Sequence, residues 1–434
     1  MGTAGHLDNY FPQGLLYGFD KNTHDIKIQT DNKIIVAGDF EYYNYDGLTF
    51  YSPYLCRLNS NGTFDSTFDI TIGSSGLNNS VKTIHIQNDG KILIGGEFTQ
   101  IIRNGITYNY PKIIRLNTDG SIDTSFIIGT GFNDTVEKIE VQNDNKIVVG
   151  GRFTEYSGTS YNSIIRLNHD GSIDTTFNVG TGFIGTVVWD IIKDGDKLLI
   201  GGDFTSYNGT SINKLIRLLI NGDIDGSFNI GTGFNNTVLS IGIQSTGKII
   251  VGGVFTEFNG VDLYYGCIVR LNSDGSYSNS FGYGLDGVYG GVATISVQPN
   301  DKILAGGFFT KYHTSLTESI DADKLIKFLS SCEIDSDFYL TPYTDVINSI
   351  ALYYGNDYLF IAGDMNYPPL IHFGKLINEG LNPISANTEY FMCISCSGET
   401  KTISVPHPTY SNGRGRDIIQ LNAISLGGEN GLNN

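Results

Sequence analysis

The sequence predicts a closed all-β repeat fold, and three observations carry this prediction. The first is the composition: the 434 residues include 55 glycines and 26 tyrosines, and only 17% of the residues are charged. Glycine supplies turns and tyrosine suits a pleated, half-buried surface, so this composition favours strands over helices. The second observation is a sevenfold internal repeat, and the third is a set of hairpin-turn signals inside each repeat.

The repeat is clearest in an eight-residue segment with paired glycines. It reads KILIGGEF at 91–98, KIVVGGRF at 146–153 and, in its most degenerate copy, YLFIAGDM at 358–365. The second glycine of the pair recurs seven times, at Gly38, Gly96, Gly151, Gly202, Gly253, Gly307 and Gly363. These positions are 51 to 58 residues apart, and such a near-constant period is the sequence signature of a repeat architecture.

Each repeat can be divided into four short strands. In the third copy we expect strands at 135–142, 146–154, 163–168 and 173–179, with turns rich in Asn, Asp and Gly between them. An isolated sheet of this size cannot bury both of its faces, so neighbouring sheets must stack on it. Four strands in roughly 40–50 residues are typical of a β-propeller. We therefore predict a seven-bladed β-propeller of four-stranded antiparallel blades.

Two further features concern how the predicted blades meet. The paired glycines lie in the middle of a strand, which indicates close approach between adjacent blades. Residues 10–19 (YFPQGLLYGF) are similar to the end of a repeat such as SFIIGTGF at 125–132. We expect this N-terminal strand to complete the seventh blade and close the ring, which hides the sheet edges. The alternative is that residues 384–391 supply that strand.

The phrases DGKILIGGEFT, RLNTDGSIDTSF and GTGFN within 89–133 resemble the delta-sixty repeat propellers, a WD-like family found in bacterial surface proteins and some bacteriophage structural proteins. The resemblance covers about residues 10–380 and is clearest in copies two to five. Copy six departs from it, because Lys327, Phe328 and Leu329 replace the Arg-Leu-Asn sequence. The resemblance implies a propeller fold and an interaction role, and it brings no catalytic residues.

The predicted strand order places the longer loops, between strands two and three and between blades, on one face. These loops are rich in tyrosine, whose stiff aromatic body and hydrogen-bonding tip suit a protein or sugar partner. The alternative is that most of these tyrosines pack over the hairpin ends as caps. We predict a partner site at Tyr43, Tyr45, Tyr108, Tyr110, Tyr156, Tyr161, Tyr207 and Tyr265.

Other motifs are better explained by turn chemistry, so we expect neither a cofactor nor a metal. The string GYGLDG at 282–287 matches GxGxxG but lies between strands, whereas a dinucleotide site needs a following helix. Asn117, Asp119 and Asp123 only faintly resemble a calcium loop. Cys393 and Cys396 have the spacing of a zinc knuckle but lack the second pair of ligands.

Charge and hydropathy exclude further classes of protein. The formal net charge is −18 and no Lys/Arg stripe is present, which argues against nucleic-acid binding. The sequence contains no apolar run of transmembrane length, so we expect no membrane insertion. Residues 1–10 lack the pattern of a secretory signal, and we expect synthesis in a cytoplasm.

The repeat stops near residue 382, which predicts a propeller over residues 1–383 and an extension over residues 384–434. The extension has too few apolar residues for a core of its own. It could be a flexible end, but we favour an arm that becomes ordered on a partner. We expect partner docking through Arg414, Arg416, Ile418 and Leu421.

Together these features predict a non-enzymatic structural component of a bacteriophage virion, in a tail, collar or fibre. It would be oligomeric within that assembly, and the propeller would bind other virion proteins, a host glycan or a receptor. The alternative is a bacterial cell-surface or secreted propeller that binds carbohydrate or protein. An enzyme ranks third, because no acid or histidine recurs at the predicted channel mouth.

Overall fold

The computed structural model describes residues 18–68, 70, 76–103, 105–281, 284–286, 291–322, 324–338, 346–353, 358–363 and 373–377. Contacts divide the chain into residues 1–380 and residues 381–434, and every described residue belongs to the first unit. The described residues form strands and turns without an α-helix, in agreement with the predicted all-β class. Accordingly, none of them belongs to a helix that could cross a membrane.

Twelve sheets are present among the described residues: five are small sheets formed by hairpins, and the other seven are antiparallel, follow one another with one in each repeat, and are called sheets 1 to 7. The second strand is central in each of these seven sheets and pairs with the first and the third. The first strands are Thr23–Ile28, Val81–Ile86, Val136–Val141, Phe183–Asp194, Val238–Ile243, Val292–Val297 and Ile347–Tyr353. The second strands are Ile34–Gly38, Ile92–Gly96, Ile147–Gly151, Lys197–Tyr207, Ile249–Gly253, Ile303–Gly307 and Tyr358–Gly363. The third strands are Leu55–Leu58, Ile113–Leu116, Ile164–Leu167, Leu215–Leu218, Ile268–Leu271, Leu325–Phe328 and Phe373–Ile377.

A turn replaces the predicted fourth strand in sheets 1 to 4 and 6, so the prediction of four-stranded blades is wrong there. In sheet 3, a single bridge between Leu167 and Ile173 continues the ladder. The Asp174 carboxylate then accepts hydrogen bonds from the N–H and the hydroxyl of Thr176, at 3.0 and 2.6 Å. This local bonding competes with strand pairing. Sheet 5 differs, because Tyr277–Ser280 forms a regular fourth strand there.

The described end of the predicted closing strand, Gly18–Phe19, contacts both the first repeat and the third strand of sheet 7. Gly18–Phe19 pairs with Asn44 and Tyr43 of the first repeat, while residues 10–17 lie outside the described residues. Residues 384–391, the alternative closing strand, also lie outside them.

The hydrophobic core lies between neighbouring sheets. One cluster packs Leu93 and Ile113 of sheet 2 against Val136 and Ile139 of sheet 3. The second strand of sheet 3, Ile147–Gly151, is buried along its whole length. Each fully buried Val, Ile or Leu side chain contributes about 1.5–3 kcal/mol, so stacking supplies the burial that a single sheet cannot provide.

The two glycines of each pair have different roles. A Cβ atom on Gly150 of sheet 3 would lie 2.5 Å from Cγ1 of Val188 in sheet 4. A Cβ atom on Gly151 would instead lie 2.2 Å from the carbonyl oxygen of Thr135 in its own sheet, beside a register shift. Close approach between neighbours is thus confirmed for the first glycine, whereas the second accommodates a β-bulge. The first-glycine contact recurs at Gly95, Gly201, Gly252 and Gly306.

A buried arginine joins each of the first four repeats to the next. In repeat 2, Arg115 Nε donates to Asp123 Oδ2 at 2.6 Å, and Lys91 Nζ lies 2.9 Å from the same oxygen. The guanidinium lies 4.8 Å from the ring centroid of Phe126 and also donates to the carbonyl oxygen of His169 in repeat 3. Burial opposes ionisation of Asp123, but the hydrogen bonds and charges around it, Lys91 first, hold its pKa below the ordinary value. Equivalent arginines are Arg57, Arg166 and Arg217.

We expect Gly150→Ala to lower the free energy of unfolding by about 1–3 kcal/mol, because the added methyl group overlaps Val188 of the next sheet. Val188→Ala removes the overlapping methyl groups. The double variant should therefore be less destabilised than the sum of the two single variants. Urea unfolding followed by fluorescence measures these differences.

The matched control is Gly151→Ala, whose methyl group meets the main chain of Thr135. Val188→Ala should not relieve the cost of that substitution. Equal coupling of Val188→Ala to both alanine substitutions, or coupling to neither, would contradict the assigned roles.

Candidate functional site

Short hairpins between the second and third strands define one face of the repeats, called here the loop face. The segments that enter repeats 1 and 2, Gly18–Phe19 and Gly76–Leu77, pair with the hairpins of those repeats. Loops and entering segments therefore share a face, as the sequence predicts. The hairpins are Tyr42–Tyr45 with Leu48–Tyr51, Gln100–Arg103 with Ile106–Asn109, Glu155–Tyr156 with Thr159–Ser160, Glu257–Phe258 with Val261–Asp262, and Lys311–His313 with Ser319–Asp321. In repeat 4, Thr210–Ser211 pairs with the end of the second strand.

Three of the tyrosines predicted to bind a partner are buried under the loop face. The Tyr156 ring packs 4.5 Å from Phe132, and its hydroxyl donates to the carbonyl oxygen of Gly171 at 2.7 Å. Tyr43 and Tyr207 occupy the same place in repeats 1 and 4, and their hydroxyls also donate to a glycine carbonyl oxygen. Burial raises the pKa of Tyr156 and Tyr207. These side chains act as caps over the hairpin ends, the alternative interpretation of the sequence.

The other five predicted tyrosines differ in exposure. Tyr45 is half-buried against the core of repeat 1, and Tyr110 and Tyr161 each pack between two neighbouring hydrophobic clusters. Tyr265 stacks on the His313 ring with 3.4 Å between centroids. Tyr108 is the most exposed of the eight, at 40%.

The hairpins of repeats 1 and 2 carry exposed apolar and aromatic side chains, of which the tyrosine prediction named only Tyr108. Leu48 and Ile106 are 60% and 56% exposed, and they lie on strands at the edges of their small sheets. Repeats 3 and 4 have only the polar pairs Thr159–Ser160 and Thr210–Ser211 at this position. A turn followed by alternating apolar residues, LTFY at 48–51 and ITYN at 106–109, is the sequence signal. The exposed side chains of these two hairpins are called the repeat 1–2 patch: Tyr42, Leu48, Tyr51, Ile102, Ile106 and Tyr108.

A second group of residues, missed by sequence reasoning, lies on the first strands and is called the first-strand charge cluster. Lys138 Nζ of sheet 3 lies 2.8 Å from Asp190 Oδ1 of sheet 4, and Lys193 Nζ of sheet 4 lies 3.4 Å from Glu140 Oε1 of sheet 3. His85 Nδ1 of sheet 2 lies 3.9 Å from Glu140 Oε2. Asp25 and Lys27 of sheet 1 pair at 2.6 Å, and Asp25 also accepts the N–H of Ile84 in sheet 2.

The pKa values of residues in the first-strand charge cluster are shifted by burial and by the charges of neighbouring residues. Burial lowers the pKa of His85 to about 4, with a further contribution from the positive charges of Lys27 and Lys193. Burial raises the pKa of Glu140. For Lys138, burial acts in the opposite direction, but the carboxylates of Asp190 and Asp25 outweigh it and raise the pKa.

The remaining predicted motifs form turns or short strands, or lie outside the described residues. The sequence predicts that the GxGxxG string is a loop between strands, but its residues Leu285–Asp286 form a short strand that pairs with 311–312. Asp119 accepts the N–H and the hydroxyl of Ser121 at 2.9 and 2.7 Å, which is turn chemistry. The described residues contain no cluster of three or more metal-ligating side chains. Arg414, Arg416, Ile418, Leu421, Cys393 and Cys396 lie outside the described residues.

Comparison with known proteins supports the β-propeller character of the repeats. Five segments match the family described as a domain of unknown function (DUF5122) β-propeller: residues 29–68, 87–126, 142–177, 196–228 and 244–281. The chain therefore carries β-propeller repeats, while the more specific delta-sixty identification stays a prediction. The crystal structure of the WD40 β-propeller domain of Doa1 is 13% identical, with a TM-score of 0.49 over 86% of this chain and 97% of that chain. No curated protein matches the sequence.

We expect the free energy of unfolding to fall by about 2 kcal/mol between pH 7.5 and pH 5 because of His85 alone. The pKa of His85 is about 4 in the folded protein and about 6.5 in an unfolded chain. Below pH 6.5 the unfolded chain therefore takes up a proton that the folded protein does not accept. Urea unfolding of the wild type and of His85→Gln at both pH values measures the difference.

The His85→Gln variant should lose this part of the pH dependence, whereas His169→Gln, on an exposed turn, should keep it. An unchanged pH dependence in His85→Gln would show that burial and the neighbouring lysines do not hold this histidine neutral.

Proposed function

We propose that this protein is a non-enzymatic scaffold that binds another protein through the repeat 1–2 patch. The observation that carries the proposal is the contrast between nearly uniform sheets and non-uniform hairpins. The outer hairpin strands of repeats 1 and 2 are four residues long and carry exposed apolar side chains. The corresponding strands of repeats 3 and 4 are two residues long and polar. In repeat proteins, insertions of this kind concentrate on the binding face.

The chemistry of the patch suits a protein partner. Leu48, Ile106 and Tyr108 combine apolar area with an aromatic ring that can also donate a hydrogen bond. The outer strands Leu48–Tyr51 and Ile106–Asn109 are sheet edges, to which an extended segment of a partner can add as a further strand.

We also propose that the seven sheets are the blades of a closed ring. The support is a set of contacts between the first and the last sheet. Asn348 Nδ2 donates to the carbonyl oxygen of Thr23 at 3.1 Å, and Thr23 Oγ1 donates to the carbonyl oxygen of Gly363 at 3.3 Å. Phe360 of sheet 7 shares a hydrophobic cluster with Ile26 of sheet 1. A ring leaves no sheet face without a neighbour.

For the biological setting, we propose a bacteriophage virion component in a tail, collar or fibre, oligomeric within its assembly. The support is the resemblance of the repeats to delta-sixty propellers. The alternative is a bacterial cell-surface or secreted propeller that binds carbohydrate or protein. Mass spectrometry of purified particles and of cell-surface fractions distinguishes the two settings.

The partner site can be tested by photocrosslinking in the particles or cells that contain the protein. A benzophenone amino acid at position 108 or at position 51 should form a covalent adduct with one and the same partner protein. The same amino acid at position 159, on the equivalent hairpin of repeat 3, is the matched control and should form no such adduct.

The combined substitution Leu48→Ser, Ile106→Ser and Tyr108→Ser should reduce a crosslink from position 51 without lowering the Tm, because these side chains are exposed. Adducts of equal yield from position 159, or an unchanged crosslink in the triple variant, would refute the patch as the binding surface.

A further inference from the structure

Five of the repeats place an aspartate carboxylate between two cations at the beginning of the segment that follows the third strand. In repeat 2 the Asp123 carboxylate forms ion pairs with Lys91 Nζ and Arg115 Nε. In repeat 6 the Asp335 carboxylate lies 3.1 Å from Lys302 Nζ and 3.6 Å from Lys327 Nζ. The equivalent carboxylates of repeats 1, 3 and 4 belong to Asp65, Asp174 and Asp225.

Repeat 5 keeps both cations but has serine in place of the aspartate. Its sequence is RLNSDGSYSNSF at 270–281, against RLNTDGSIDTSF at 115–126 in repeat 2. Strand pairing fixes the equivalence, because Leu271 pairs with Tyr277 as Leu116 pairs with Ile122. Ser278 therefore stands where Asp123 stands in repeat 2.

The two cations of repeat 5 are Lys248 and Arg270, and neither forms an ion pair with a carboxylate within the residues that the structure describes. Lys248 Nζ contacts the side-chain oxygen of Asn272 and lies 3.2 Å from Ser278 Oγ. Arg270 Nε is buried and has no hydrogen-bond partner among the described residues. The Arg270 side chain is nevertheless held in the orientation of the other repeats, because Nη1 donates to the carbonyl oxygen of Ser330 in repeat 6 at 2.8 Å.

A buried charged donor without a partner is unfavourable, and two like charges near one point repel each other. In repeats 1 to 4 the carboxylate removes both costs. Serine lacks the carboxyl group of aspartate, so repeat 5 has no negative charge at this position to balance Lys248 and Arg270.

We propose that repeat 5 binds a small carboxylate, or an anion of similar size, between Lys248 and Arg270. Lys248 Nζ and Arg270 Nε donate to the anion, and the Ser278 hydroxyl supplies a further donor. A one-carbon carboxylate such as formate matches the group that aspartate supplies elsewhere. This site is separate from the repeat 1–2 patch and independent of the proposed protein-binding function. Through Arg270, the bound anion stabilises the contact between repeats 5 and 6.

The experiment uses the full chain and formate as the probe, with formate exchanged for a bulky sulfonate at constant ionic strength. Formate should produce a saturable increase in the Tm of the wild type. The line width of ¹³C-formate in NMR should increase in the presence of the protein and should return to its free value when excess unlabelled formate is added.

Two substitutions make the test specific. Ser278→Asp supplies the carboxylate internally, so this variant should have a higher Tm without formate and should lose both the Tm increase and the line broadening. Asp123→Ser creates the same arrangement in repeat 2 and should gain a second formate response, with a Tm that is lower than the wild-type value without formate.

A Tm increase or line broadening that is equal in the wild type and in Ser278→Asp would overturn the proposal, since it would reflect a general salt effect. The absence of any formate response in the wild type would overturn it as well. If Asp123→Ser does not fold, the comparison of the wild type with Ser278→Asp still decides the outcome.

Discussion

The structure depends on one steric constraint, the contact between a small residue in the second strand of one sheet and a β-branched side chain in the first strand of the next. Gly150 against Val188 is the clearest case, because a single added carbon would overlap the valine. Repeats 1 and 7 have Ala37 and Ala362 at the equivalent position, so no repeat places a side chain larger than a methyl group there. This contact sets how closely neighbouring sheets stack, and thereby which apolar side chains are buried between them.

The buried arginine adds a polar connection to this apolar contact. Arg115 is bound within its own repeat by Asp123 and reaches the main chain of the next repeat at His169. The guanidinium is therefore paired, stacked on Phe126 and directed at a carbonyl oxygen, which satisfies the requirement that a buried charge be fully hydrogen-bonded. Because these connections repeat, the scaffold tolerates variation in the hairpins and at single positions such as Ser278.

The sequence predicts the first three strands of each repeat, the turns and the common loop face, because these depend on local periodicity and on the Asp-Gly turn residues. The fourth strand was not predictable in the same way, since Asp174 with Thr176 forms a turn inside a segment of strand-like composition. The residue type alone could not separate the two environments of the predicted tyrosines: Tyr43 and Tyr108 both lie on hairpin strands, but Tyr43 is buried and donates to a glycine carbonyl oxygen, whereas Tyr108 is exposed. Partner binding by either tyrosine stays a prediction. The first-strand charge cluster could not be predicted from the sequence, because its members, such as Lys138 and Asp190, are about one repeat apart along the chain.

The stacking of each sheet on the next is tested most directly where the first and the last sheet meet. Spin labels on cysteines at positions 21 and 346, next to the hydrogen bond between Thr23 and Asn348, give that distance by pulsed electron paramagnetic resonance. A closed ring predicts one short distance, with sheets 1 and 7 in contact. Seven sheets stacked at about 10 Å in an open row would separate the labels by about 60 Å, and a distance in that range would contradict the account.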